Sequence, residues 1–140
     1  MYCIQILIAA LLSAAPSPAE EVAWVKDFKV AMKQAAEQKK LVVLDLSASW
    51  CGYCRRMARE VYPDPKFVEF SRSHVFIRLF ADTEQQGTEL AERFRIRGFP
   101  TILVLNAQGQ ELGRVEGARD RDSLIREIQE ITRRPAPLRL

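Results

Sequence analysis

The chain has 140 residues, of which 48% are hydrophobic and 28% are charged, and its formal net charge is +3. This length suits a single domain with a real hydrophobic core. The weak positive charge comes from arginines dispersed among acidic residues, without a Lys/Arg block, so nucleic acid is not expected as a partner.

The first 19 residues differ from the rest because they carry no charged side chain. An apolar run from Ile4 to Leu12 is followed by small residues and prolines up to Ala19. This layout predicts a signal peptide over 1–19, because the run is shorter than the ~20 residues of a membrane-spanning helix. We therefore expect an exported, periplasmic protein. No Lys or Arg precedes the run, so an N-terminal extension retained as a weak anchor is the alternative.

Cysteine usage agrees with export. Removing the leader removes Cys3 and leaves only Cys51 and Cys54, which two residues separate. A disulfide between them closes a tiny loop and would stabilise the fold little. The two cysteines are therefore better explained by reactivity than by structure.

The first predicted element is an amphipathic helix within Glu20–Gln38, whose apolar stripe includes Trp24 and Phe28. Next, Leu41–Leu46 is apolar on both faces and predicts a central strand. Asp45 interrupts this strand. Its carboxylate either points to solvent or a helix terminus, or lies beneath the cysteines and accepts a proton from Cys54.

The stretch Trp50-Cys51-Gly52-Tyr53-Cys54 stands between this strand and a helix-compatible segment, 55–60. The first turn of a helix has unpaired N–H groups and the positive end of the helix dipole. We expect this site to lower the pKa of Cys51 from ~8.5 into the range ~3.5–7.5. Cys54, one turn further on and less exposed, would then reach the Cys51 sulfur. This arrangement predicts dithiol–disulfide exchange.

Two further elements follow. Asp64 with Pro65 predicts the capped start of a short helix, and Val75–Phe80 predicts the second strand. His74, the only histidine, is interpreted as a loop or strand-edge residue rather than a catalytic base.

The last third of the chain predicts two helices and a hairpin. A helix lies within Asp82–Ile96 and is entered near Gly87-Thr88. Strands Ile102–Leu105 and Gln110–Glu116 flank the turn Asn106–Gly109, and Asp120 or Asp122 caps a final helix. The domain thus covers 20–134, followed by a tail, 135–140. The order of elements predicts an α/β fold with a mixed sheet between helices, a three-layer sandwich.

These residues together resemble the thioredoxin superfamily from Val22 to Ile131. The resemblance rests on Asp45 six residues before Cys51, on the motif itself, and on three further features: Arg55, Ile96–Thr101 and Asn106–Gly109. Within the superfamily the chain looks most like exported thioredoxin-like reductases, notably the C-terminal domain of Dsb-type transmembrane reductases. Two residues depart from cytoplasmic thioredoxins: Ser47 replaces a tryptophan, and Arg78 replaces a lysine near the buried carboxylate.

The resemblance implies a thioredoxin fold with Pro100 cis beside a redox disulfide, Cys51–Cys54. It also implies Cys51 as nucleophile, Cys54 as resolving cysteine and Asp45 as proton acceptor. Residues expected to bind substrate surround the sulfur: Trp50, Tyr53, Phe99 and Thr101. The backbone of Phe99 would pair with a substrate strand.

We therefore expect a thiol–disulfide oxidoreductase that reduces protein disulfides outside the cytoplasm and serves cell redox homeostasis. An oxidant or isomerase of the same fold is the alternative, since the residues do not set the direction. A redox-inactive adaptor is less expected, and a zinc module lacks a fourth ligand. The expected partners are disulfide-containing proteins and a membrane-bound thiol reductase as electron donor. We expect a monomer without cofactor or metal.

Overall fold

The computed structural model describes residues 21–134, so the predicted leader, 1–19, and the tail, 135–140, lie outside the described residues. Five helices and four strands follow one another in the described part of the chain, in the order predicted: α1 (Phe28–Gln38), β1 (Val42–Ser47), α2 (Gly52–Glu60), α3 (Pro65–Ser71), β2 (Val75–Phe80), α4 (Gln85–Arg93), β3 (Thr101–Leu105), β4 (Glu111–Glu116) and α5 (Arg121–Arg133).

The four strands form one mixed sheet in the order β2-β1-β3-β4. Strand β1 is parallel to β2 and antiparallel to β3, and β3 is antiparallel to β4. All six residues of β1 are buried, because the strand has a neighbour on each side and helices on both faces. The predicted central position of this strand is confirmed.

Alternation along the strands sends side chains into two separate cores. On one face, Val43 and Phe76 pack with the apolar sides of α2, α3 and α5. On the other face, Leu44 and Ile77 pack with α1 and α4. Each fully buried aliphatic side chain contributes ~1.5–3 kcal/mol, so the two cores hold the sheet from both sides. The predicted three-layer α/β/α sandwich is confirmed.

The first helix is shorter than the sequence predicts. It begins at Phe28, because the Asp27 side chain accepts a hydrogen bond from the Val30 N–H at 2.9 Å and caps the helix there. Before the cap the chain is not helical, and Val25 forms a parallel bridge with Ile77 of β2. Trp24 consequently lies outside the helix to which its spacing assigned it.

The other helix starts follow local chemistry. Asp64 with Pro65 caps α3, and Asp120 rather than Asp122 caps α5. Helix α4 begins at Gln85, ahead of the predicted entry near Gly87. A Cβ at Gly87 would lie 2.3 Å from the carbonyl oxygen of Phe80, so this glycine lets α4 approach the end of β2. Within 21–134 no helix is long and apolar enough to cross a membrane.

Candidate active site

The two cysteines of the motif lie where β1 gives way to α2. Cys51 is the N-cap of the helix, and its sulfur accepts a hydrogen bond from the Cys54 N–H at 3.1 Å. The two residues form a disulfide with their Cα atoms 5.3 Å apart. A sulfur at this position receives an N–H donor and the positive end of the helix dipole, which are the contacts that favour a thiolate.

Both cysteines are covered in the disulfide form. Cys51 is 3% exposed and Cys54 7%, so the expectation that Cys54 is the less exposed of the two is not met in this form. The cause is a small apolar cluster in which Ala48, before the motif, and Phe99, from a distant loop, pack against both cysteines. Access to Cys51 therefore runs past Phe99.

The loop 97–100 brings Phe99 against the cysteines and holds the predicted proline directly after it. The peptide bond between Phe99 and Pro100 is cis, as the resemblance implies. The Pro100 carbonyl accepts from the Gly117 N–H at 2.9 Å, which ties the loop to the end of β4. The Thr101 hydroxyl donates to the Gly98 carbonyl at 2.8 Å, and Thr101 is buried. Its side chain therefore shapes the loop, and a contact with substrate stays a prediction.

Two large aromatic side chains surround the covered disulfide. Trp50 is 68% exposed and Tyr53 66%, and the Trp50 ring meets Phe99 edge to face at a centroid distance of 6.0 Å. A contact of Trp50 and Tyr53 with substrate stays a prediction. A groove of about 620 Å³ continues from Phe99, and Arg95 and Arg97 also line it.

Asp82 fixes the loop that precedes the motif, a role for which the sequence offers no separate signal. Its carboxylate accepts hydrogen bonds from the backbone N–H of Ser49 at 2.9 Å and from the Ser49 hydroxyl. The Ser49 hydroxyl, followed by its N–H, lowers the pKa of Asp82 below its ordinary value. The residue next to Trp50 is thus held by a charged acceptor.

Asp45 is buried and does not point to solvent, so that alternative is wrong. Its Oδ1 accepts from the Ser47 hydroxyl at 3.0 Å. Its Oδ2 accepts from the Tyr62 hydroxyl and from Arg78 Nε, each at 2.9 Å. The placement of Arg78 beside the buried carboxylate is therefore confirmed. None of the described hydrogen bonds joins Asp45 to either cysteine sulfur.

Arg78 is enclosed by aromatic rings. Its guanidinium carbon lies 4.2 Å from the centroid of Trp24 and 4.5 Å from that of Tyr62. Burial, followed by the charge of Asp45, raises the pKa of Tyr62 well above its ordinary value, so its hydroxyl stays a donor. The sequence carries no signal for Tyr62 in this network, because Tyr62 precedes a proline-rich break and the pattern favours a turn there.

His74, the remaining residue that the sequence singles out, makes its contacts outside this site. His74 stands directly before β2 and packs against Phe70 and Phe76, which agrees with its interpretation as a strand-edge residue. Burial, and then the charge of Lys40, lower its pKa. Among residues 21–134, no three His, Cys, Asp or Glu side chains are grouped as metal ligands would be.

Comparison with known proteins places this site in a family. Residues 28–132 match the thioredoxin-like domain family. A thioredoxin H-type from Oryza sativa subsp. indica is 34% identical over 99 residues, covering 69% of this chain and 73% of the rice protein. The thiol:disulfide interchange protein DsbD of Pseudoalteromonas atlantica is 34% identical over 95 residues, 66% of this chain and 16% of that protein.

A solved structure shares the fold. The C-terminal domain of Neisseria meningitidis DsbD in its oxidised form has a TM-score of 0.65 at 24% identity, covering 77% of this chain and 98% of that domain. The chain also matches protein disulfide-isomerases from Datisca glomerata and Ricinus communis, of which it spans 17% and 25% of the length. The chain belongs to the thioredoxin-like family and carries a disulfide-forming Cys51–Cys54 pair at the start of α2.

Proposed function

We propose that the protein works as a reductant of protein disulfides outside the cytoplasm. The observation that carries the proposal is Cys51 at the N-cap of α2, where the Cys54 N–H reaches its sulfur at 3.1 Å. A thiolate held there attacks disulfides at neutral pH, and a second thiol one turn away releases the product. The similarity to DsbD supports the reducing direction.

The first step captures the substrate. Cys51 thiolate attacks one sulfur of a substrate disulfide, forms a mixed disulfide and releases the other substrate sulfur as a thiolate. Trp50, Tyr53 and Phe99 give the substrate an apolar surface beside the nucleophile. The backbone N–H and carbonyl of Phe99 have no hydrogen-bond partner among residues 21–134, so an extended substrate segment can pair with them.

The second step releases the reduced substrate. Cys54 loses its proton to Asp45, and the resulting thiolate attacks the Cys51 sulfur and expels the second substrate thiolate. Asp45 is suited to this because it is a carboxylate on the face of β1 that α2 covers. Regeneration needs two electrons from a dithiol, for which a membrane-bound thiol reductase is the proposed donor.

Insulin reduction tests the activity. The reduced wild-type protein should precipitate insulin chains, and Cys51→Ser should abolish the reaction. Cys54→Ser, the matched control, should still capture substrate and accumulate a mixed disulfide visible as a mass increase. Equal insulin reduction by the wild type and Cys51→Ser would refute the proposal.

The reduction potential separates reductase from isomerase, which the names of the two plant relatives favour as the alternative. A value near that of thioredoxin, ~−270 mV, would support the reductase, whereas one near ~−180 mV would favour an isomerase. A still higher value, near ~−120 mV, would favour an oxidant.

Export is proposed from the leader-like residues 1–19 together with the similarity to Dsb-type proteins. Expression of the full chain followed by cell fractionation tests it. We expect a periplasmic protein whose mass corresponds to cleavage after Ala19. An uncleaved membrane-associated protein would favour the retained anchor, and an uncleaved cytoplasmic one would contradict export.

A further inference from the structure

The two oxygens of the Asp45 carboxylate lie in different surroundings. Oδ2 accepts two hydrogen bonds, from the Tyr62 hydroxyl and from Arg78 Nε, both at 2.9 Å. Oδ1 accepts one, from the Ser47 hydroxyl at 3.0 Å. Each carboxylate oxygen has two lone-pair sites. Oδ2 is therefore saturated, whereas Oδ1 retains one site for a proton.

We propose that Tyr62 is a positioning residue for the resolving step. Its hydroxyl and Arg78 occupy both lone-pair sites of Asp45 Oδ2, so the proton of Cys54 goes to Oδ1. The inference rests on the proposed role of Asp45 as proton acceptor. In this step the S–H bond of Cys54 breaks and an O–H bond forms on Oδ1. The sulfur electron pair then attacks the Cys51 sulfur, and the substrate thiolate leaves with the electrons of the broken S–S bond.

Packing fixes the Tyr62 hydroxyl in place. The residue is 4% exposed, and its ring meets Trp24 and Phe67 at centroid distances of 5.0 and 5.2 Å. A ring held on two sides cannot turn its hydroxyl toward water. The raised pKa of Tyr62 keeps the proton on this hydroxyl at neutral pH, so the hydrogen bond to Asp45 persists through the catalytic cycle.

The same ring also places Arg78. The guanidinium lies 4.5 Å from the Tyr62 centroid, and its Nη2 is buried without a hydrogen-bond partner among residues 21–134. A guanidinium keeps its charge across the accessible pH range, so this side of the carboxylate faces a permanent cation. Tyr62 thus occupies one site of Oδ2 with its own hydroxyl, and its ring holds Arg78 at the other site.

Within residues 21–134, few other ionisable groups lie on the elements around this network. Cys54 is on α2, which covers the same sheet face, and Glu21 lines a cavity of about 210 Å³ together with Tyr62 and Arg78. On the β3 side the register partner of Asp45 is the apolar Ile102. Removing the Tyr62 hydroxyl therefore changes one contact of the carboxylate and leaves the charges around it as they are.

Tyr62→Phe removes this hydroxyl and keeps the ring. The carboxylate then loses a hydrogen bond that stabilises its ionised form, and Oδ2 gains an open lone-pair site. We expect the resolving step to slow about tenfold on the acid side of its pH profile. On the alkaline side the two rates should converge.

Stopped-flow kinetics measure the step. The reduced full-length protein is mixed with an aromatic disulfide that releases a coloured thiolate, once on capture by Cys51 and again on expulsion by Cys54. Tyr62→Phe should shift only the second phase. Ser71→Ala is the matched control, because it removes another buried hydroxyl. This hydroxyl donates to the Val68 carbonyl at 2.7 Å and makes no hydrogen bond to Asp45. This control should shift neither phase, and an unshifted second phase in Tyr62→Phe would overturn the inference.

The same substitution in an Asp45→Asn protein separates positioning from a structural effect. There Tyr62→Phe should leave the profile unchanged, and an undiminished shift would show that Tyr62 acts on another group. If Asp45→Asn itself resolves as fast as the wild type, both the acceptor role and this inference fail. If Asp45→Asn is slow but Tyr62→Phe has a wild-type profile, this inference alone fails.

Discussion

The buried ion pair between Arg78 and Asp45 allows a quantitative test. Arg78 Nε lies 2.9 Å from Asp45 Oδ2, and the two side chains are 19% and 3% exposed. At an effective dielectric constant of ~20, unit charges at this distance attract by about 6 kcal/mol. Arg78→Met keeps an unbranched apolar side chain but leaves the carboxylate without its cation. Breaking a buried pair in this way costs ~3–5 kcal/mol, and we expect the lower part of that range because Arg78 is partly exposed.

Urea unfolding of the oxidised protein, followed by far-ultraviolet circular dichroism, measures this loss at neutral pH. Adding Asp45→Asn to Arg78→Met removes the uncompensated charge, so the double variant should recover most of the lost free energy of unfolding. One of the Ser47 and Tyr62 hydroxyls can still donate to the asparagine oxygen, and the other can accept from the asparagine amide. A double variant as unstable as Arg78→Met would refute the reasoning, because the loss would then come from packing around the guanidinium.

Three further outcomes are expected. Gly87→Ala should lower the free energy of unfolding by ~1–3 kcal/mol, because the new Cβ would lie 2.3 Å from a carbonyl oxygen of β2. Gly98→Ala is the control: a Cβ there has no atom within 4 Å, so the free energy of unfolding should stay within ~0.5 kcal/mol of the wild-type value. The folded pKa of His74 is lowered, so stability should fall as pH drops below ~6.5, and less steeply in His74→Gln. Arg121 lowers the pKa of Asp122 to about 2. The contribution of the Asp122 carboxylate to stability should therefore be lost as the pH falls from ~3.9 to about 2, and Asp122→Asn should flatten this part of the acid-unfolding curve.

The sequence alone predicts the layers and the site because both depend on local signals. The unbroken apolar run of β1 requires burial on both faces, and that places it centrally in the sheet. Cys51 before a helix-compatible stretch predicts a sulfur in the first turn of a helix, and the structure places Cys51 at the N-cap with the Cys54 N–H on its sulfur. The cis bond at Pro100 followed from the resemblance rather than from any local pattern.

Tertiary contacts decide the features that the sequence does not reveal. Trp24 has helical spacing with Phe28, yet Asp27 caps the helix between them and Trp24 instead packs against Tyr62 and Arg78. The spacing alone does not reveal where the helix begins, because apolar residues can keep helical spacing on both sides of the N-cap. The coverage of Cys51 likewise depends on Phe99, 48 positions further along the chain.

Stability alone does not explain the buried ion pair of Asp45 and Arg78. Replacing a buried pair by well-packed apolar residues is often neutral or stabilising by ~1–4 kcal/mol, so the fold alone does not require Asp45 and Arg78. The network also leaves Arg78 Nη2 buried without a described partner, which adds a desolvation cost. On the proposed mechanism, the oxygen of Asp45 that keeps an open site would receive the proton of the Cys54 thiol, and the contacts that saturate the other oxygen would serve the resolving step.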